Sequence, residues 1–197
     1  GPGVDAALGL DAAAATKFAG GLAYQDPRLA DAGVRIVTPA GQASGKFTAA
    51  GLVATDAAAY DYFRLGLALP DGGADLVVDK SLMLESNFEV LHGVDFDKGC
   101  FVGQELTART KYRALVRKRL LPVLIDGPLP DPGTPLMVGE REVASMRSGQ
   151  KDRGLALVRL DRLADAGGLG QSLRAGEAEV TIQMPDWADF DLNAEVV

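Results

Sequence analysis

Beyond Arg119 the chain breaks into short apolar runs at close spacing, and this cadence limits the possible fold more than any other feature. Residues 121–125, 135–138, 142–146, 155–158 and 178–183 are rich in Leu, Val, Ile and Met and are separated by Gly, Pro and Asp. Runs of this length suit strands and are too short for stable helices. The stretch 126–135 carries Pro128, Pro130, Pro132 and Pro135, which fits a connection better than a central strand because proline has no N–H for the ladder. Several such strands in series read as a small antiparallel barrel or sandwich. A domain of residues 1–118 followed by a barrel of residues 119–197 is the expected organisation. The alternative is one α+β domain with no boundary.

Upstream the pattern mixes α and β. The alanine-rich stretch 12–20 reads as a short helix stopped by Gly20-Gly21, and 33–37 as a strand closed by Thr38-Pro39. Residues 39–51 have no period and read as loop. Over 56–69, Tyr60, Phe63 and Leu67 fall at three- and four-residue steps. Thr55-Asp56 offers that helix a cap, and Pro70-Asp71-Gly72-Gly73 ends it. Residues 74–94 show mixed periodicity.

Composition excludes several functions. With 47% hydrophobic and 24% charged residues in 197, the chain can bury a core and is not disordered as a whole. A net charge of −7 argues against a nucleic-acid binder by global charge. No apolar run approaches the roughly 20 residues of a bilayer span, so no membrane partner is expected. Gly1-Pro2-Gly3 lacks the basic and apolar regions of a secretion signal. The one cysteine, Cys100, excludes an intrachain disulfide and points to a reducing, cytoplasmic location. The one histidine, His92, excludes zinc fingers and His-rich metal sites built from this chain alone, and no metal site is expected.

Against this acidic background stands residues 98–119, KGCFVGQELTARTKYRALVRKR. Seven bases (Lys98, Arg109, Lys111, Arg113, Arg117, Lys118 and Arg119) face one acid, Glu105, a net of +6 that leaves −13 on the remainder of the −7 total. Such an island favours an anionic ligand or partner; the alternative is a solvated helix whose bases pair with acids elsewhere. Gly103-Gln104-Glu105 opens a helix running to about Tyr112, so Cys100 lies just before a helix N-terminus, which favours a thiolate. Lys98 acts in the same direction. A small buried hydrophobe is the other reading of Cys100, given Phe101 and Val102 beside it. One thiol cannot hold an iron–sulfur cluster, which takes four ligands. Glu105 and Arg109 stand at i, i+4 and form a helix pair unless the arginine forks onto a carboxylate or phosphate.

The run KGCFVGQE at 98–105 with ARTKYRALVRKR at 108–119 resembles the signature of the YgfZ family of folate-binding proteins, relatives of the glycine-cleavage T-protein, an aminomethyltransferase. Residues 64–76 (RLGLALPDGGADL), 84–87 (LESN) and 155–159 (LALVR) are weaker echoes of the same family. The resemblance covers most of residues 24–185. It implies an α+β fold: a partial T-protein-like folate-binding domain, incomplete at its N-terminus, followed by a small C-terminal antiparallel β-barrel. The family's first half of the folate domain has no counterpart here, so an incomplete pocket is expected.

The implied function is that of a tetrahydrofolate-binding accessory protein for iron–sulfur cluster assembly or repair, affecting cluster enzymes and tRNA modification. A folate-dependent aminomethyltransferase-like enzyme is the alternative. Cys100 would be the functional thiol, Lys98 its electrostatic neighbour, and Gln104 and Glu105 would position the loop. Glu85 could receive the donor edge of the pterin, and Arg64, Arg109, Lys111 and Arg113 could meet the glutamate carboxylates or a partner. A surface ion pair is the other reading of Glu85 and Arg64. The expected partners are folate and iron–sulfur assembly proteins or client enzymes, with tRNA a weaker one.

Overall fold

The computed structural model describes residues 3–10, 15–41, 44–99, 101–113, 116–190 and 192. The chain divides into two compact units between Ala59 and Tyr60. Among the described residues no helix is long and apolar enough to cross a membrane.

The first unit opens with helix α1 (Val4–Leu8) and a three-stranded antiparallel sheet of β1 (Thr16–Phe18), β2 (Gly21–Gln25) and β3 (Val34–Val37). The helix expected over 12–20 is not what its described part forms. Phe18 pairs with Gly21, and the intervening Ala19 and Gly20 both have positive φ, at 49° and 78°. Two such residues make the turn whose twist matches a hairpin, so Gly20-Gly21 closes a hairpin where a helix stop was expected. The strand expected at 33–37 is present as β3. Within 39–51, read as loop, lies α2 (Ser44–Ala49), whose Phe47 stacks on Phe18 at 5.4 Å between ring centroids. That contact joins residues far apart in sequence, which a local pattern does not carry. In β2, Gln25 leads into Asp26, whose carboxylate accepts from Arg28 Nη2 (2.9 Å) and Arg35 Nε (2.8 Å).

Helix α3 (Ala57–Gly66) starts as its sequence announces, with the Ala59 N–H donating to Asp56 Oδ1 at 2.7 Å. It ends before Asp71, whose Oδ1 accepts from the N–H groups of Gly73 and Ala74. Residues 74–94 form consecutive turns, and α4 (Glu105–Arg113) follows.

The remainder is a closed barrel in the order β4-β7-β6-β5-β8-β9. Its strands are β4 (Lys118–Asp126), β5 (Pro135–Val138), β6 (Arg141–Gln150), β7 (Arg153–Arg159), β8 (Ser172–Ala175) and β9 (Ala178–Ile182). Helix α5 (Leu160–Asp165) lies between β7 and β8. Closure occurs where β9 pairs with β4, from Val123↔Ile182 to Asp126↔Glu179. Alternation does the packing: Leu121, Val123 and Ile125 of β4 meet Val180 and Ile182 of β9 and Leu136, Met146 and Val158 in one buried core. Every strand expected downstream of residue 119 is present; β8 and α5 are additional.

The segment from residue 60 packs onto the barrel's outer wall. Leu65 and Ala68 bury against Leu120 and Leu155, with Trp187 partly covering them. The Trp187 indole N–H donates to the Leu67 carbonyl at 2.7 Å. Residues 84–87, the LESN echo, attach to the start of β4: the Leu120 N–H donates to the Glu85 carbonyl (2.8 Å), and Asn87 Nδ2 donates to the Leu120 carbonyl (2.6 Å). Arg119 Nη1 reaches the Leu84 carbonyl (3.3 Å) and lies over the Phe190 ring.

Candidate functional site

The KGCFVGQE run forms a loop entering α4. Gly99 and Gly103 both sit at φ 88°, a region that side chains with a Cβ rarely adopt. The Gln104 carboxamide spans this loop. Its Nε2 donates to the Gly99 carbonyl (3.0 Å), and its Oε1 accepts from the Phe101 N–H (3.1 Å). Backbone is thereby fixed on both sides of position 100, while Cys100 itself lies outside the described residues. The Gln104 carbonyl accepts from the Ala108 N–H (3.1 Å) as α4 begins. The helix expected to open at Gly103-Gln104-Glu105 is therefore present.

Beside the loop is a cavity of about 300 Å³. Met83, Val94 and Phe96 give it apolar wall, and Lys98, Gln104 and Asp95 supply polar groups. Lys98 Nζ also sits 5.0 Å from the Phe101 ring centroid, within cation–π range. Lys111 does not line the cavity; it pairs with Glu89 and lies 5.6 Å from the centroid of the Phe96 ring. Tyr112 meets the same ring edge-on at 6.1 Å. Thus Lys111 meets the cavity only through Phe96.

The other residues singled out from the sequence go elsewhere. Glu105 and Arg109 are exposed on α4, and the Arg113 side chain is outside the described residues. Glu85 is half-buried; burial pushes its carboxyl pKa up, opposed by the charges of Lys118 and Arg147. It does not line the cavity. Arg64 is buried in a structural network: Nε donates to Asp61 (2.5 Å), Nη1 to Asp75 (2.8 Å) and the Leu69 carbonyl (3.2 Å), and Nη2 to Ser148 Oγ (3.1 Å). Asp75 in turn accepts from the Ser148 hydroxyl (2.5 Å) and the Asp71 N–H (2.8 Å). The guanidinium so ties α3 to β6.

Asp95, Phe96 and Thr107 line the cavity without having been expected to. Their proximity in sequence to Lys98 and Gln104 was the available signal. Among the described residues no group of three or more His, Cys, Asp or Glu side chains could hold a metal ion.

Six antiparallel strands, closed and following a folded segment at 60–113, are the geometry with which known proteins can be compared. Residues 117–190 match the CAF17 C-terminal beta-barrel domain. The CAF17-type barrel thus spans all six strands, β4 to β9. The chain is also 38% identical over 172 residues to the iron-sulfur cluster assembly factor IBA57, mitochondrial, of Mus musculus, covering 83% of this chain and 46% of that protein. The Homo sapiens protein of the same name is 37% identical over 177 residues, covering 86% and 48%. A homolog from Neurospora crassa is 43% identical over 103 residues, 52% of this chain and 23% of that protein. The chain spans about half the length of the mouse and human relatives. These likenesses agree with the kinship expected from the KGCFVGQE run. The expected cytoplasmic location is corrected by them, because the matched relatives are named mitochondrial. A lone cysteine separates reducing from oxidising compartments and cannot distinguish one reducing compartment from another.

Proposed function

We propose that the chain is the barrel-bearing portion of an iron–sulfur cluster assembly factor that works through the loop at 98–104, with Cys100 as its functional thiol. The observation that carries this is the Gln104 carboxamide bridging Gly99 and Phe101 beside a cavity lined by Lys98. The mouse and human relatives, each an iron-sulfur cluster assembly factor by name, support it. A thiolate at position 100 is favoured by the Lys98 ammonium and by the N-terminal end of α4. It supplies one ligand of the four that a cluster takes, so the cluster is cargo held jointly with a partner protein. Effects on tRNA modification follow through the cluster enzymes that carry it out.

Tetrahydrofolate is the ligand proposed for the cavity. About 300 Å³ lies at the lower edge of the roughly 300–1,000 Å³ usual for small-molecule sites, which suits the pterin end alone. Asp95, a lining carboxylate, stands where the resemblance implied Glu85 and accepts the paired N–H groups of the ring. Lys98, the base that lines the cavity, would meet a glutamate carboxylate. Bound there, the cofactor would supply one-carbon or redox chemistry, and these residues orient it.

Two measurements test the reading. Titration calorimetry with tetrahydrofolate should show binding that Asp95→Ala and Lys98→Ala weaken; no heat at millimolar ligand would remove the folate part. Cells whose only copy carries Cys100→Ser, in the full-length protein, should lose cluster-enzyme activity. Unchanged activity would remove the thiol.

A further inference from the structure

We infer that Gln104 is a positioning residue through which a ligand in the cavity orders the backbone of Asp97, Gly99 and Phe101. This rests on the tetrahydrofolate reading above and adds how occupancy of that site governs the segment around position 100.

Three polar side chains that line the cavity also hold that segment. The Gln104 carboxamide spans Gly99 and Phe101, Asp95 Oδ1 accepts from the Asp97 N–H at 2.8 Å, and Lys98 Nζ lies over the Phe101 ring. Cavity wall and loop brace are therefore built from the same residues. The three hydrogen bonds are exposed to solvent, and exposed bonds of a loop open locally at little cost. The segment thus has two arrangements, one with these side chains converged on it and one with them released.

A ligand distinguishes the two. In the brace Gln104 uses one of its two amide hydrogens and one lone pair of its oxygen, which leaves it a donor and an acceptor. A carboxylate accepts at about four sites, and the Asp97 N–H takes one of those on Asp95. The ammonium of Lys98 has N–H groups to give while it stays over the ring. A pterin can bond all three residues without displacing their contacts to the loop. Only the braced arrangement presents them together, so binding favours it. By linkage, loosening the brace weakens the ligand by the same factor. Gln104 is central because its bonds reach backbone on both sides of position 100.

The test follows amide hydrogen exchange by NMR in the full-length protein, with and without saturating tetrahydrofolate under anaerobic conditions. The Gly73 N–H is the control: it makes the same kind of exposed bond, to Asp71 Oδ1 at 2.8 Å, and neither residue lines the cavity. With ligand, exchange at Phe101 and Asp97 should slow at least about fivefold while Gly73 is unchanged. In Gln104→Ala, Phe101 should exchange equally with and without ligand, and calorimetry should give a Kd at least about fivefold weaker. Gln104→Glu, which keeps an acceptor for the Phe101 N–H, should restore the response at Phe101. Wild-type exchange at the barrel amide of Ile125 checks that both variants fold. Binding that leaves Phe101 unchanged, or speeds its exchange, would overturn the inference and leave the folate reading standing. Equal slowing at Gly73 would mark a general effect, and slowing at Phe101 that persists in Gln104→Ala would mark shielding by the ligand; either overturns the inference. No binding of tetrahydrofolate to wild type would remove the folate reading and this inference together.

Discussion

The Arg64 guanidinium donates to the Asp75 carboxylate at 2.8 Å with both side chains out of solvent, and Ser148 of β6 bonds to both. This pair carries the attachment of α3 and its following turn to the barrel wall. Removing one member of a buried ion pair strands the other charge, which costs about 3–5 kcal/mol. Asp75→Ala is therefore expected to destabilise the unit by about 3 kcal/mol in urea unfolding followed by Trp187 fluorescence. The double replacement Arg64→Met with Asp75→Leu should cost much less than the two single losses combined. Equal additivity would show that the pair is not coupled.

A second expectation concerns the barrel interior at Gly154. A Cβ there would lie 2.3 Å from Met146 Cε and 2.9 Å from the Ser148 carbonyl oxygen. The methionine can move and the backbone oxygen cannot, so Gly154→Ala should cost about 1–3 kcal/mol through overpacking. The same urea experiment reads it. A loss near zero would mean that β6 and β7 are not this closely paired.

Gln104 offers a test in which stability and function part. Its two bonds lie at an exposed loop, so Gln104→Ala should lower unfolding stability by only about 1 kcal/mol. The loop around position 100 would nevertheless lose its brace. The rate of Cys100 alkylation measured against pH should shift, and a wild-type profile would show that the brace does not govern the thiol.

Asp26 gives the pH dependence of the first unit. Burial, the largest single influence, raises its pKa, but hydrogen bonds from Arg28 and Arg35 together outweigh it and bring the value from 3.8 to about 2. Because the folded value lies below the unfolded one, the stabilisation is fully present above the unfolded pKa and is lost as pH falls through the folded one. It amounts to about 2 kcal/mol. Urea unfolding of the β1–β3 sheet, followed by the methyl resonances of Val34 and Ile36, should show this fall between pH 4 and 2 in wild type. In Asp26→Asn the loss should already be present at neutral pH; an identical pH profile in the two proteins would contradict the assignment.

The sequence by itself determined the barrel and the loop. Alternating apolar runs punctuated by proline and glycine give strands wherever a closed sheet buries one face, as Leu121, Val123 and Ile125 do in β4. Gly99, Gly103 and Gln104 determined their turn in the same local way, through backbone angles and a bond spanning five residues. Strand β8 was harder to read because only Leu173 and Ala175 alternate inward across its four residues.

Only the tertiary structure decided the rest. Arg64 could have met a ligand carboxylate; Asp75 and Ser148 claim it because packing α3 on the barrel brings residues far apart in sequence to one buried point. Asp95 lines the cavity while Glu85 does not, and Ala19-Gly20 make a hairpin where composition favoured a helix. Each of these outcomes depends on contacts between distant parts of the chain, whose free energy exceeds the small local preferences that a sequence displays.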